Sequence, residues 1–549
     1  MVQAVVQDET LFERNLRALA QRDPEMVVRL CWPVRVDHVE IPESGVPLRR
    51  GVPFCVPTSD VDSTLIGVDP AREILLLGVG LGEQIDALLA RKLPGLIAWD
   101  RDPYLLRLLL TRHDLSTHLE SGRLRLALGA DLVTLLARAP QLAQVWNPLL
   151  EQTYRVEAAL VRSRVGERRA LVGVDRLLSD DLAEALREEG FSVCPVDFDG
   201  WALEEIARAL AHTAPALVAD INYRHGLVEF CARAGVPYLC WEIDPATDRI
   251  EPPGCATERA FVFSYRRSGA EAFRMQGFAN AEHLPLACNP QRRRPTKLAP
   301  GRCPDPAGVS FVGSSLAREA RHYRRRFIAL YREWHPASPD AEKQCDAAIE
   351  RCLAEQRRDF SQYLLGDALE RELGAFLTSV RSGHTREDPV ALLDEVAAAE
   401  KRRTYIEALG RFGVDVWGDP DWQDCSAPGV RYRGWAGHFH ELSGIYSSDA
   451  IHVDIGRIYQ QDIVTLRVFD VLACGGFVIA EHSSDLEELF EIGSEIECYR
   501  TLPELEAKIE RYRAEPELAR AIALRGRAAV CEHHTIRERV RYMLARLAA

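Results

Sequence analysis

The sequence holds no apolar run of membrane-spanning length, and its opening residues, MVQAVVQDETLFERNL, lack the basic stretch and apolar core of a secretory leader. Both absences exclude an integral membrane protein of the helical kind and predict a cytoplasmic chain. No cysteines are spaced Cys-x-x-Cys. The 14 cysteines are scattered, and the closest pair, Cys345 and Cys352, falls in a predicted helix, which excludes a zinc ribbon and a disulfide framework. Tandem repeats and low-complexity tracts are absent too. Positive charge is in deficit, 68 Lys and Arg against 82 Asp and Glu for a net charge of -14, which argues against a general binder of nucleic acid or anionic membranes. What remains is an ordinary globular composition over 549 residues, too long for one core and sufficient for about three domains.

The most densely patterned stretch is DIVTLRVFDVLACGGFVIAEHSSDLEE, residues 462–488. Val464, Val468, Val471 and Leu472 recur at helical spacing, Gly475 and Gly476 supply a helix stop, and residues 477–480 read as a strand buried on both faces. Asp462 and Asp470 stand eight residues apart. Carboxylates so placed can accept hydrogen bonds from the vicinal hydroxyls of a ribose or hexose, or can simply favour a helix N-terminus through its dipole.

An earlier unit, 74–100, reads strand, glycine turn, helix, strand, acid. Gly78, Gly80 and Gly82 form the turn and Asp100 ends the second strand, the order of a Rossmann-like unit in which backbone amides approach a ligand and the acid takes a ribose hydroxyl. From 168 onward strands and helices alternate again, arguing for a parallel sheet with ligands at the carboxyl ends of its strands. Those ends carry Asn222-Tyr-Arg-His-Gly226 and Trp241-Glu-Ile-Asp-Pro245, in which His225 and Asp244 are candidate bases, or else a loop histidine and a turn aspartate. A Pro- and Arg-rich linker, 291–308, leads to a strand and the turn Gly313-Ser314-Ser315 ahead of a basic helix. The free amides of such a turn, with Arg321 near, suit a phosphate. Residues 333–405 read as helical, with breaks at 336–339 and 382–389, longer than an ordinary connection and suited to oligomerisation or acceptor docking. Asp197-Phe-Asp199 and Asp419-Pro-Asp421 match an Asp-x-Asp metal motif, a triplet an acidic chain supplies by chance.

With its Asp-x7-Asp pair and Cys-Gly-Gly helix, the C-terminal stretch resembles the CgeB/spore-maturation type of glycosyltransferase, GT-B enzymes that carry Glu-x7-Glu; here both acids are the shorter aspartate. Residues 261–290 and the loops at 222–226 and 241–245 are similar to the same group. Residues 75–116 resemble the N-terminal region of motility-accessory-factor flagellin glycosyltransferases. The resemblance implies an α/β fold of two Rossmann-like halves preceded by a further Rossmann-like domain: residues 1–150, then 166–295, then 305–535 with the helical insertion at about 333–405, and a last helix, 536–549, crossing back to the first half. It implies a nucleotide-sugar donor, with its diphosphate at Gly313, Ser314, Ser315 and Arg321, its base flanked by Trp417 and Gly418, unless Trp417 is a buried core residue, and its sugar and ribose near Asp462 and Asp470; Arg467 is a further candidate for the diphosphate or for a structural pair with Asp470. Asp462, His225 and Asp244 are the implied catalytic set, no essential metal is implied, and the acceptor is a protein Ser or Thr such as flagellin. Two other classes stay open: a nucleotide- or S-adenosylmethionine-dependent enzyme centred on Gly78 to Asp100, and a non-catalytic sugar-binding relative.

Overall fold

The computed structural model describes residues 9–32, 39–40, 42, 46–49, 51–55, 65, 67–69, 71–136, 141–162, 168–174, 176–245, 248–298, 303–383, 385–437 and 440–548. The chain divides into two compact units, residues 1–175 with 191–216, and residues 176–190 with 217–549. Three short strands, β1 Val39–Glu40, β2 Leu48–Arg49 and β3 Val52–Pro53, form a small antiparallel sheet in the first unit. A four-stranded parallel sheet follows there in the order β6-β5-β4-β7, with β4 Glu73–Leu77, β5 Leu96–Asp100, β6 Leu124–Leu128 and β7 Leu142–Trp146. Its central strands are apolar except for Glu73 at the start of one and Asp100 at the end of the other, as suits strands covered on both faces. Strand β7 falls in the stretch 141–164, whose sequence reads as a linker with a helix. In LAQVW only Leu142 and Val145 are buried, so this edge strand reads poorly as a buried one.

Two six-stranded sheets complete the architecture. The first runs β13-β12-β11-β10-β8-β9, with β8 Arg169–Gly173, β9 Ser192–Val196, β10 Leu217–Ile221, β11 Tyr238–Glu242, β12 Ala260–Ser264 and β13 Asn280–His283. The second runs β16-β15-β14-β17-β18-β19, with β14 Val309–Val312, β15 Val414–Trp417, β16 Val430–Tyr432, β17 Ile451–Val453, β18 Phe477–Glu481 and β19 Glu497–Tyr499. All of its pairs are parallel. The order reverses at β14 and β17, the switch point at which doubly wound sheets bind ligands. The last helix, Ile536–Ala548, returns to the first half: Arg537 and Arg541 both pair with Glu189 at 2.8 Å, and the Tyr542 hydroxyl bonds Glu282 at 2.6 Å. This is the expected GT-B architecture, with a further Rossmann-like sheet ahead of it.

Between β14 and β15 lies the helical insertion: Ala317–Trp334, Ala341–Gln356, Leu365–Ser382 and Pro389–Leu409, with a core of its own built on Phe327, Ile349, Leu369, Phe376 and Leu393. One break more than predicted divides it, at 357–364. Gln356 makes that turn. Its buried amide donates to the carbonyls of Asp359 and Gln362, and accepts from the amides of Leu364 and Leu365.

Candidate functional site

Three arginines converge at the carboxyl ends of β14 and β17. Arg467 opens the helix Leu466–Ala473, donates to the Val312 carbonyl at 2.7 Å, pairs with buried Asp454 and stacks over Phe311 at 4.8 Å. Arg402, from the insertion's last helix, donates to the carbonyls of Ser314 at 2.8 Å and Ile455 at 3.3 Å. Arg457 follows β17 and pairs with Glu395 at 3.0 Å. All three line one cavity of about 230 Å³, together with Asp244, Gln460 and Thr465. Burial, and then the charges of Arg457 and Arg467, pull the Arg402 guanidinium down to about 9. Three cations gathered in a partly desolvated pocket repel one another, and an anion there would relieve them. The N-terminus of the helix Leu466–Ala473 adds its dipole to the same wall, and its N-cap Thr465 makes no side-chain cap, because the hydroxyl bonds Asp454 instead.

A larger cleft of about 1090 Å³ adjoins this pocket, and Asp244, Pro245 and Tyr265 line both. One wall comes from the loops after β10, β11 and β12, including Tyr223, His225 and Arg266; the other is the insertion, through Arg386, Asp394 and Glu395. Residues 248–251 are stitched to that insertion wall: Arg249 donates to the Arg381 carbonyl at 2.7 Å, and Arg386 pairs with Glu251 at 3.1 Å. Burial pushes the Glu242 carboxyl up to about 7, aided by the negative charges of Asp244 and Asp220. Asp394, also buried, is pushed up to about 7 although the Tyr363 hydroxyl bonds it. A carboxyl raised in the folded state keeps a proton that the unfolded chain has lost. Stability therefore falls as pH rises between the ordinary value of 4.5 for Glu242 and about 7. Glu242→Gln is expected to flatten this slope in urea unfolding measured from about pH 5 to about pH 8, and an unchanged slope would contradict the assignment.

Of the sequence-predicted residues, Asp244, Arg467, Gly313 and Ser314 meet at or beside the arginine cavity. A Cβ on Gly313 would lie 2.7 Å from the Arg467 guanidinium, so only glycine leaves that approach open. His225 lies in the larger cleft, edge-on to Tyr223. Asp462 bonds Ser268 at 3.1 Å and Arg266 at 3.3 Å; burial opposes its charge, yet these partners bring its carboxyl below the usual range. Asp470 points elsewhere. It is 6% exposed, paired with Arg293 at 2.8 Å beside a crevice of about 20 Å³, and burial raises its carboxyl against the pull of that arginine.

Ser315 and the Ser314 hydroxyl are held by Asp419, which gives the first acid of Asp419-Pro-Asp421 a structural partner. Arg321 pairs with Asp421 at 2.9 Å in a separate pocket of about 250 Å³ floored by Ala320, Ala399 and Trp422. Trp417 is buried in β15, and Gly418 is required by close approach, since a Cβ there would lie 2.2 Å from the Gly313 carbonyl.

In the first unit Asp100 is fully buried and accepts from the Val79 amide at 2.9 Å, the Asp102 amide at 3.0 Å and the Tyr154 hydroxyl at 2.7 Å. Leu150 packs at Gly78, Asn147 and Cys55 at Gly80, and His113 at Gly82. The glycine turn is thus lined by side chains of its own unit.

Arg402, Arg457 and Asn222 carry no role in the sequence reading. A signal for Arg402 exists in retrospect: Leu392, Leu393, Val396, Ala397, Ala398, Tyr405, Ile406 and Leu409 make the helix Pro389–Leu409 apolar on most sides, so its interleaved charges Asp394, Glu395, Lys401 and Arg402 are themselves buried. Among the described residues no group of His, Cys, Asp and Glu is set to hold a metal, and no helix is long and apolar enough to cross a membrane.

Residues 396–545 match the family model described as "Glycosyl transferase-like". Among curated proteins, subunit 2 of the bovine 2-(3-amino-3-carboxypropyl)histidine synthase is 25% identical over 306 residues, 48% of this chain, and the chain spans 60% of that protein's length. Among solved structures, sucrose-phosphate synthase from Thermosynechococcus elongatus gives a TM-score of 0.42 at 12% identity, over 69% of this chain and 98% of that one. HepE from Anabaena, solved with UDP and glucose, gives 0.35 at 13%, over 77% and 96%. The MAf glycosyltransferase from Magnetospirillum magneticum gives 0.23 at 14%, over 43% and 53%. The stretch that the family model matches, 396–545, contains Arg402, Arg457 and Arg467.

Proposed function

We propose that the protein is a GT-B glycosyltransferase that moves a sugar from a nucleotide-sugar donor to an acceptor hydroxyl. The observation that carries this reading is the convergence of Arg402, Arg457 and Arg467 on one cavity at a helix N-terminus, joined through Asp244 to a polar cleft large enough for an acceptor. In this reading the donor diphosphate lies among the three guanidinium groups, beside the Gly313 turn, and the sugar reaches toward Asp244 and Asp462. Asp244 takes the acceptor proton as the acceptor oxygen bonds to the anomeric carbon. The carbon–oxygen bond to the diphosphate breaks, and its electron pair passes to the phosphate oxygen, where the arginines stabilise it. No step of this proposal requires a metal. The acceptor is a protein Ser or Thr, flagellin being the specific candidate, with the insertion as the second wall of its cleft.

A thermal-shift panel of UDP, GDP, CDP, dTDP, CMP, their common sugar conjugates and S-adenosylmethionine tests the reading. A ligand that binds only the folded state raises the melting temperature, by more the tighter it binds. One nucleotide and its sugar conjugate are expected to do so, whereas a shift with S-adenosylmethionine alone would move the chemistry to the first unit and overturn the proposal.

A further inference from the structure

Resting on that reading, we infer that Asn222 is a positioning residue that fixes the Asp244 carboxylate at the junction of the two cavities. Asn222 follows β10 directly, and its amide still donates to the Trp241 carbonyl at 2.9 Å, so its backbone is tied to β11. The next turn of the chain then enters the left-handed region, with φ of 62° at Asn222. Few residues with a Cβ occupy this region, asparagine being among the most tolerant, and such strain persists where the surroundings over-determine it.

What the surroundings gain is visible in the side chain. The Asn222 Oδ1 accepts from the amides of Ile243 at 2.9 Å and Asp244 at 3.2 Å, and its Nδ2 donates to Asp244 Oδ2 at 3.0 Å. One carboxamide therefore fixes both the backbone that bears Asp244 and one of its two carboxylate oxygens. Among the described residues the side-chain donor to this carboxylate is Asn222. Asp244 itself is exposed to both cavities, so it is free to meet a substrate, and without a brace it is also free to rotate. A base displaced by about 1 Å loses on the order of 10²-fold in rate, which sets the scale of what the brace contributes. The charged and ionisable groups around it are Glu242 at the end of the preceding strand, Tyr265 and Arg266 after β12, His225, Asp248 and Arg249 along the larger cleft, and Arg402, Arg457 and Arg467 across the pocket.

Three variants separate the roles of this residue. Asn222→Gly keeps the left-handed backbone without strain and deletes the amide. Asn222→Ala deletes it and keeps the strain. Asn222→Asp retains an acceptor for the two backbone amides and sets a second negative charge against Asp244. The assay is hydrolysis of UDP-, GDP-, dTDP- and CMP-sugars, with water as acceptor, read as release of the nucleotide. Asn222→Gly is expected to lose about 10–100-fold in kcat with the donor KM and the thermal shift by nucleotide unchanged. Asn222→Asp is expected to move the acid limb of the pH–rate profile to higher pH, because a like charge disfavours ionisation of the base. A wild-type kcat and pH profile in Asn222→Gly, with Asp244→Asn inactive, would overturn the positioning role alone. Full activity in Asp244→Asn would overturn the base and the brace together.

Discussion

Asp244→Asn is expected to slow sugar transfer by about 10²- to 10⁴-fold, the range over which a positioned general base acts, while leaving nucleotide binding intact. The substitution removes a charge and a proton acceptor but keeps the size of the side chain. Asp244 does not bridge the arginines, each of which has its own carboxylate or carbonyl partners, so the donor pocket has no reason to collapse. The expected signature is a kcat that falls with donor KM and the thermal shift by nucleotide unchanged. His225 is the competing base. It lines the larger cleft and not the arginine cavity, whereas Asp244 lines both, which is where a base must stand to take the proton of an acceptor hydroxyl poised at the anomeric carbon. If His225→Ala abolished turnover while Asp244→Asn stayed within about threefold of wild type, the assignment would be reversed.

Much of the fold was legible because parallel sheets announce themselves. Strands such as EILLL and FVIAE are covered on both faces and therefore apolar at nearly every position, and glycines beside them, Gly78 after the first and Gly476 before the second, mark the turns. Strand β7 and the Gln356 turn were not legible for the converse reason. An edge strand can leave most of its residues unburied, as β7 does outside Leu142 and Val145, and a turn built by a single buried amide leaves no glycine or proline behind.

The site was legible only in part, and the places where the structure separates residues that the sequence groups share a physical cause. Asp462 and Asp470 stand eight residues apart, but spacing along the chain does not say which neighbour each side chain meets, and the two carboxylates take different partners. Asp470 turns toward Arg293, a residue of the linker, and both become a buried ion pair. Arg321 was read from its nearness in sequence to the Gly313 turn, and in the structure it pairs with Asp421. Arg402 and Arg457 lie 55 positions apart and meet only because the insertion's last helix packs beside the loop after β17. No local pattern encodes that meeting. Asp100 is the clearest case of a motif satisfied from within, since the acid of the strand–glycine–acid pattern caps the glycine turn itself.

Arg467→Ala is expected to damage the protein twice, in stability and in donor affinity, and the two losses can be separated. Its guanidinium pairs with Asp454, whose side chain is 4% exposed, and removing one member of such a buried pair costs about 3–5 kcal/mol, because the other charge is left without compensation. Thr465 still bonds the same carboxylate oxygen, which places the cost toward the lower end of that range. In the proposed donor complex Arg467 also meets a phosphate. A charge-assisted hydrogen bond of this kind contributes about 1.5–3 kcal/mol, so the nucleotide Kd is expected to rise by about 10- to 150-fold. Arg467→Lys restores a charge but not a planar fork, and one ammonium cannot serve the Val312 carbonyl, Asp454 and a phosphate together. The double variant Arg467→Ala with Asp454→Ala decides between the roles. Taking away the stranded carboxylate is expected to return a large part of the lost stability, measured by urea unfolding, while the nucleotide Kd from calorimetry stays as weak as in the single variant. Recovery of nucleotide affinity in step with stability would reduce Arg467 to a structural partner of Asp454 and leave Arg402 and Arg457 to hold the diphosphate. Continued weak binding in a restored fold would instead tie the arginine directly to the donor.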